Sequence, residues 1–231
     1  MTGGAVTGSA WTAGGLVART TGRVFFTLGG VDYTCSASTV GGASPSVVVT
    51  AAHCVSDGAG AWATDWRFIP GYVDGQAPYG VYRAAAYYVA RGWASGANRD
   101  DDVAFVVTRP ADSGGGPVGT VVGEQPISFG PRGGTASVFG YPAVRPYDGS
   151  RLDYCAGPVS ADPYGGADAG LGCAMTEGDS GGPWLSSFDP STGSGTITAV
   201  TSFKYSGESL ELYSANLGPV AQALYQRAEQ P

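Results

Sequence analysis

Runs of apolar residues in this chain are short, and turn-forming residues interrupt them throughout. "GRVFFTL" (22–28), "VDYTCSASTV" (31–40), "SVVVTAA" (46–52), "DWRFIPGY" (65–72), "YRAAAYYVA" (82–90) and "DVAFVVT" (102–108) form a first set, rich in Val, Phe, Tyr and Thr. Such runs bounded by Gly, Pro and Asp clusters predict strands. "RPADSGGGPVG" (109–119) then has the composition of a linker. A second set follows: "ISFG", "TASVFGY", "RLDYCAG", "LGCAMT", "GPWLSS", "GTITAVTSFKY" and "LELYSANL". Two groups of about six strands flanking one linker predict two packed β-barrels, spanning residues 16–110 and 123–231 with 109–122 between them. Only the tail differs. In "GPVAQALYQRAE" (218–229), Gly-Pro precedes Val220, Ala223, Leu224 and Ala228 at helical spacing, which predicts one short amphipathic helix.

Composition sharpens this picture. Gly 39 and Pro 15 among 231 residues supply the many turns an all-β chain needs, and 13% charged residues with 43% hydrophobic ones describe a globular protein. A formal charge of −7 with no basic stripe excludes nucleic acid as a partner. No apolar stretch approaches the ~20 residues that span a bilayer, so no membrane association is expected. The N-terminus "MTGGAVTGSAWTAGG" lacks the basic-then-apolar pattern of a signal peptide, and Met1 reads as an added start with any targeting segment already removed. Four cysteines, Cys35, Cys54, Cys155 and Cys173, show no Cys-x-x-Cys spacing. They read as two disulfides, hence an oxidising, extracellular destination. A single histidine and widely spaced cysteines disfavour a zinc site, and no metal or other cofactor is expected.

Three short stretches carry chemistry. In "TEGDSGGPW" (176–184), Ser180 stands between Gly-Asp and Gly-Gly, where the backbone can adopt unusual dihedrals and no bulky side chain blocks approach. A glycine-rich hairpin with an incidental serine is the bland alternative. A nucleophilic serine needs a base, and His53 in "VVVTAAHCV" (47–55) is the only imidazole in the chain. A lone histidine is more often structural, but this one ends an apolar run beside Cys54. A carboxylate that orients the ring completes the set. "RDDDVAFVV" offers Asp100, Asp101 and Asp102, and Asp102 abuts the apolar strand that could hold it inward.

"TAAHC", "DDVAF" and "GDSGGP", in that order, resemble the chymotrypsin-like serine peptidases, whose triad order is also His, Asp, Ser. "YTCSASTV" and "MTEGDSGGPWL" are most similar to the bacterial secreted branch that includes glutamyl endopeptidases, and the resemblance runs over roughly residues 20–225. It implies two perpendicular six-stranded antiparallel barrels with the active site in the cleft between them. It also implies His53 as general base, Asp102 as its orienter, Ser180 as nucleophile, and an oxyanion hole of the Gly178 and Ser180 N–H groups. It implies disulfides joining Cys35 to Cys54 and Cys155 to Cys173. The expected activity is that of a secreted, monomeric serine endopeptidase acting on protein or peptide substrates. A catalytically silent homologue serving as a binding module, and an esterase using the same site, are the alternatives.

The specificity pocket departs from the family. Ala174 stands where trypsin has an aspartate, and no second histidine exists to hold a substrate carboxylate as in glutamyl endopeptidases. Ala174, Met175, Ser202, Phe203, Lys204 and Glu211 are the candidate substrate-binding residues. Glu211 could select a basic side chain, Lys204 an acidic one, or the two could pair across the hairpin; both could equally face solvent. The family's activating ion pair would fall on Asp179. Arg132 and Arg145 are candidate partners for it, as is an amine freed by removal of a propeptide.

Overall fold

The computed structural model describes residues 7–130, 133–208 and 210–230. The chain is mostly β. After a two-residue strand β1 (Ser9–Ala10) and a helical turn α1 (Gly15–Thr20), six strands follow. They are β2 (Thr21–Leu28), β3 (Val31–Thr39), β4 (Val47–Thr50), β5 (Thr64–Pro70), β6 (Tyr82–Val89) and β7 (Ala104–Thr108). They close into an antiparallel barrel of order β2-β3-β4-β7-β6-β5. Gly29 and Gly30 make the β2–β3 turn with φ of 59° and 83°, left-handed values that suit the twist of a two-residue hairpin and that only glycine adopts cheaply. A short helix α2 (Arg91–Ala94) lies between β6 and β7.

The 109–122 stretch is not linker throughout. Its end forms a helical turn α3 (Val118–Val122), and Val118 and Val122 are fully buried in the first barrel's core. Beyond it come β8 (Thr135–Gly140), β9 (Asp153–Pro158), β10 (Ser160–Ala161), β11 (Ala169–Gly172), β12 (Pro183–Asp189), β13 (Ser194–Phe203) and β14 (Glu211–Asn216). The six longer strands of the second half run in the order β9-β8-β12-β13-β14-β11. The second half is an eight-stranded sheet of order β1-β9-β8-β12-β13-β14-β11-β10, because the two-residue strands β1 and β10 extend its edges. The Cys155–Cys173 disulfide ties β9, near one edge, to the residue just after β11, near the other. "ISFG" is no strand. It touches β13 through one bridge, Ile127 to Ile197, and Pro126 beside it has no N–H to extend a ladder.

"SVVVTAA" does not alternate because β4 is covered on both sides. Val48 points into the first barrel's core, whereas Val47 and Val49 enter the apolar layer between the halves. In β7, Ala104 and Val106 face the barrel interior while Val103, just before it, and Phe105 face the layer. Strands buried on both faces read as continuous apolar runs. Each fully buried Val or Phe stabilises the fold by roughly 1.5–3 kcal/mol relative to exposure. β4 ends and β7 begins beside His53 and Asp102.

Each half is strapped by the other's chain end. β1 pairs with β9 of the second sheet, and a helix α4 (Pro219–Ala228) packs on the first barrel. The buried face of α4 is Ala221, Leu224 and Ala228, with Tyr225 partly buried; Leu224 and Ala228 are as expected, whereas Val220 is 52% exposed and Ala223 is also exposed. Both sets fit a 3.6-residue period, and the tilted packing of Tyr225 against Phe105 and Phe129 decides between them. Tyr225 donates to the Gly41 carbonyl at 2.6 Å, and the Glu229 carboxylate accepts from the Ala43 and Ser44 N–H groups. No described helix is long and apolar enough to cross a membrane.

This latch carries a strained neighbour. Burial, and behind it the charge of Glu229, push the Glu124 carboxyl above its ordinary value. Its ionised form is therefore penalised in the folded chain, so this contribution to stability is fullest at low pH and is lost as pH rises through the raised value. Glu124→Gln should raise the melting temperature at pH 7 by about 2 °C and leave it unchanged at pH 4. Calorimetry at the two pH values checks this, and an unchanged melting temperature at pH 7 would refute it.

Candidate active site

Antiparallel register sets Thr50 at the end of β4 opposite Ala104 at the start of β7. Ala51 follows β4 and leads into a 3₁₀ turn (Ala52–Cys54) that carries His53, while Asp102 precedes β7, so the two side chains meet across the strand ends. Asp102 is 2% exposed. Its Oδ1 accepts the His53 backbone N–H at 2.8 Å, its Oδ2 lies 2.8 Å from His53 Nδ1, and Ser202 Oγ donates to Oδ2 at 2.5 Å. A carboxylate acceptor at Nδ1 draws the ring proton to that nitrogen and leaves the Nε2 lone pair for another proton. Asp101 turns instead toward Asn98 Nδ2, and Asp100 is exposed. The disulfide from Cys54 to Cys35 anchors the turn to β3. Burial alone would lower the His53 pKa, but the adjacent Asp102 charge and its hydrogen bond outweigh this and hold it above the ordinary imidazole value.

Ser180 reaches the same place from the second half. β3 pairs with β4 only at Ser38 and Thr39, so the backbone of Ser36 has no ladder partner there. The Ser180 loop fills the gap: Ser36 N–H donates to the Ser180 carbonyl at 2.7 Å, and Cys54 Sγ lies 3.8 Å from that oxygen. Among the described residues Ser180 Oγ makes no hydrogen bond to the imidazole; in unliganded sites such bonds commonly tighten only around substrate.

The loop's carbonyls are all engaged. Glu177 O accepts from Ala143 N–H at 2.7 Å, Gly178 O from Ser36 Oγ at 2.8 Å, and Asp179 O from Gly182 N–H at 2.9 Å. In a planar trans peptide the N–H points opposite to the carbonyl. The Gly178 and Ser180 N–H groups therefore point away from these anchors, and neither donates to a protein acceptor among the described residues. Gly178 has φ +105°, and a Cβ on it would lie 2.6 Å from the Tyr141 carbonyl, so glycine is required on both counts.

Beside Ser180 lies a cavity of about 180 Å³, lined by Thr176, Glu177, Asp179, Thr201, Ser202, Phe203, Lys204 and Leu212. The structure thus brings three of the six candidate substrate-binding residues to it. Ala174 and Met175 are not among its walls. Met175 is fully buried, and a Cβ on Gly8 would meet its side chain. β11 ends at Gly172, before these residues. Glu211 accepts from Ser160 Oγ at 3.3 Å, and no ion pair joins it to Lys204 among the described residues. Lys204 Nζ donates to the Cys173 carbonyl at 2.9 Å; burial lowers its pKa against the opposing charges of Asp179 and Glu177. Asp179 is 3% exposed, and burial pushes its carboxyl up to about 7, against the pull of Lys204. Arg145 is exposed, and Arg132 lies outside the described residues. Thr176, Glu177, Thr201, Leu212 and Ser36 went unread in the sequence, where only adjacency to Cys35 and to the Ser180 and Ser202 motifs marks them.

Cys35, His53 and Cys54 offer the one grouping of metal-type donors among the described residues. It does not fit a metal ion, since both sulfurs are joined in the disulfide and His53 Nδ1 is engaged by Asp102.

The chain matches the family described as Trypsin over residues 13–224. Among solved structures it is similar to the protease Anisep from Arthrobacter nicotinovorans (40% identity, 91% of this chain and 95% of that one, TM-score 0.85). It is similar also to the thermostable serine protease AL20 from an extremophilic microorganism (34% identity, 93% and 98%, TM-score 0.86). A Glu endopeptidase shares the fold at 19% identity (99% and 98% coverage, TM-score 0.76). A curated relative, the extracellular metalloprotease of Bacillus subtilis strain 168, is 30% identical over 104 residues, which are 45% of this chain and 33% of that protein.

Proposed function

This chain belongs to the trypsin family of serine hydrolases, acting on peptides or proteins, and on that premise we propose that it is a secreted serine endopeptidase working through an acyl-enzyme. His53 Nε2 takes the Ser180 hydroxyl proton as Oγ bonds to the scissile carbonyl carbon. The carbonyl oxygen becomes an oxyanion facing the Gly178 and Ser180 N–H groups; one such donor is worth about 3–4 kcal/mol of transition-state stabilisation. Collapse breaks the C–N bond, and the amine leaves with the proton from Nε2. Water then attacks the acyl ester, its proton passing to Nε2 and on to Ser180 Oγ as the carboxylic product departs. Asp102 keeps the ring in the competent tautomer and stabilises the imidazolium in both halves of the cycle.

The observation that carries this reading is the 2.8 Å contact of Asp102 with His53 Nδ1 at the seam where the Ser180 loop docks. The two disulfides and the likeness to bacterial proteases support an extracellular location. Labelling with a fluorophosphonate tests the whole proposal. The oxidised protein should be modified stoichiometrically at Ser180 and the Ser180→Ala variant not at all; failure of the native protein to label would reject the activity.

A further inference from the structure

We propose that Ser36 is a positioning residue that aims the oxyanion hole from the opposite half of the molecule, a role that rests on the catalytic reading of Ser180. Ser36 lies in β3, next to Cys35, and is fully buried. Its hydroxyl donates to the Gly178 carbonyl at 2.8 Å and accepts the Tyr141 N–H at 2.8 Å. Its own N–H holds the Ser180 carbonyl at 2.7 Å, and its carbonyl takes Thr50 Oγ1 at 2.8 Å. One residue of the first barrel therefore fixes two of the carbonyls in the loop that carries both oxyanion donors.

The consequence follows from peptide planarity. Gly178 has two soft torsions, and its preceding peptide is held by Ala143 N–H while its following peptide is held by Ser36 Oγ. With φ at +105° and no side chain, nothing intrinsic to Gly178 resists rotation. Removing the Ser36 hydroxyl frees the Gly178–Asp179 peptide to turn toward another donor. That motion redirects the Ser180 end of the loop as well, because the next peptide begins at Asp179. It also strands the buried Tyr141 N–H, so Tyr141 and Gly178 lose their common partner together.

The effect belongs to the transition state. The oxyanion does not exist in the bound substrate, so a misaimed donor lowers kcat with little change in KM. The test compares Ser36→Ala and Ser36→Thr with the wild type, using a peptide ester and rates divided by active sites titrated from the acyl burst. Ser36→Ala should turn over about 10- to 100-fold more slowly per titrated site. Its KM should stay within about twofold, and the acid limb of its pH profile should not move, since His53 is untouched. Ser36→Thr, which keeps the hydroxyl, should recover most of the rate. A peptide aldehyde, which forms a tetrahedral oxyanion adduct, should lose affinity for Ser36→Ala in parallel with kcat, while a product peptide should not. A Ser36→Ala enzyme with fewer titratable sites but wild-type turnover at each would reduce Ser36 to a packing residue and overturn the inference. Absence of a burst in the wild type would overturn the catalytic reading itself, and this inference with it.

Discussion

Replacing His53 by alanine should lower kcat by on the order of 10⁶-fold, as loss of the base does in other serine proteases. The chain has no second imidazole to recruit. Asp102 and Lys204 are poor substitutes: Asp102 is enclosed by its hydrogen bonds, and the Lys204 amine is turned to the Cys173 carbonyl. The pH dependence supplies a second, independent signature. The proposed mechanism requires the neutral ring, and Asp102 holds the His53 pKa above its ordinary value. Wild-type kcat/KM should therefore be low below that raised value, climb about tenfold per pH unit, and level off above it. In His53→Ala the plateau should vanish and the residual rate should follow hydroxide. Steady-state kinetics from pH 5 to 9 on a peptide ester, with circular dichroism to confirm folding, measure both effects. A variant retaining a tenth of the activity, or the same acid limb, would remove His53 from the reaction.

The first barrel was legible because its strands sit between clear turn signals, and β4 announced itself by an uninterrupted apolar run that only burial on both faces explains. The proposed triad residues were marked out for a related reason. Each member is tied to a feature that sequence displays: a disulfide beside His53, a strand start after Asp102, glycines around Ser180. What stayed hidden is what depends on contacts between distant segments. The edge strands β1 and β10 have two residues each, too few to show a period. The choice of Ala221 over Val220 on α4 is made by Phe105 and Phe129, more than ninety residues upstream. Lys204 and Glu211 look like a hairpin pair by charge, yet the described geometry gives Glu211 to Ser160 and turns Lys204 toward the Cys173 carbonyl. Ser36 has no motif of its own, since its importance comes from residues 141, 178 and 180 arriving at a gap in the β3–β4 ladder.

Asp102→Asn should cost about 10⁴ in kcat, the loss expected when an oriented imidazole is held in the wrong tautomer. The reason here is specific to the two oxygens. Oδ1 accepts the backbone N–H of His53, a donor that cannot rotate or change its proton. An asparagine must therefore keep its carbonyl oxygen at that position, which puts the amide NH₂ where Oδ2 now faces Nδ1. The ring then has to accept at Nδ1 and carry its proton on Nε2, so it cannot take one from Ser180. Ser202 offers no way out, because its hydroxyl can turn and accept from the new amide. Substrate binding involves neither nitrogen, so KM should change little and the fall should lie in kcat. Asp100→Asn and Asp101→Asn should stay within about twofold of the wild type, since neither carboxylate reaches the ring. Equal losses in all three variants would point to a general effect of charge near the cleft, and an active Asp102→Asn enzyme would dismiss the tautomer argument.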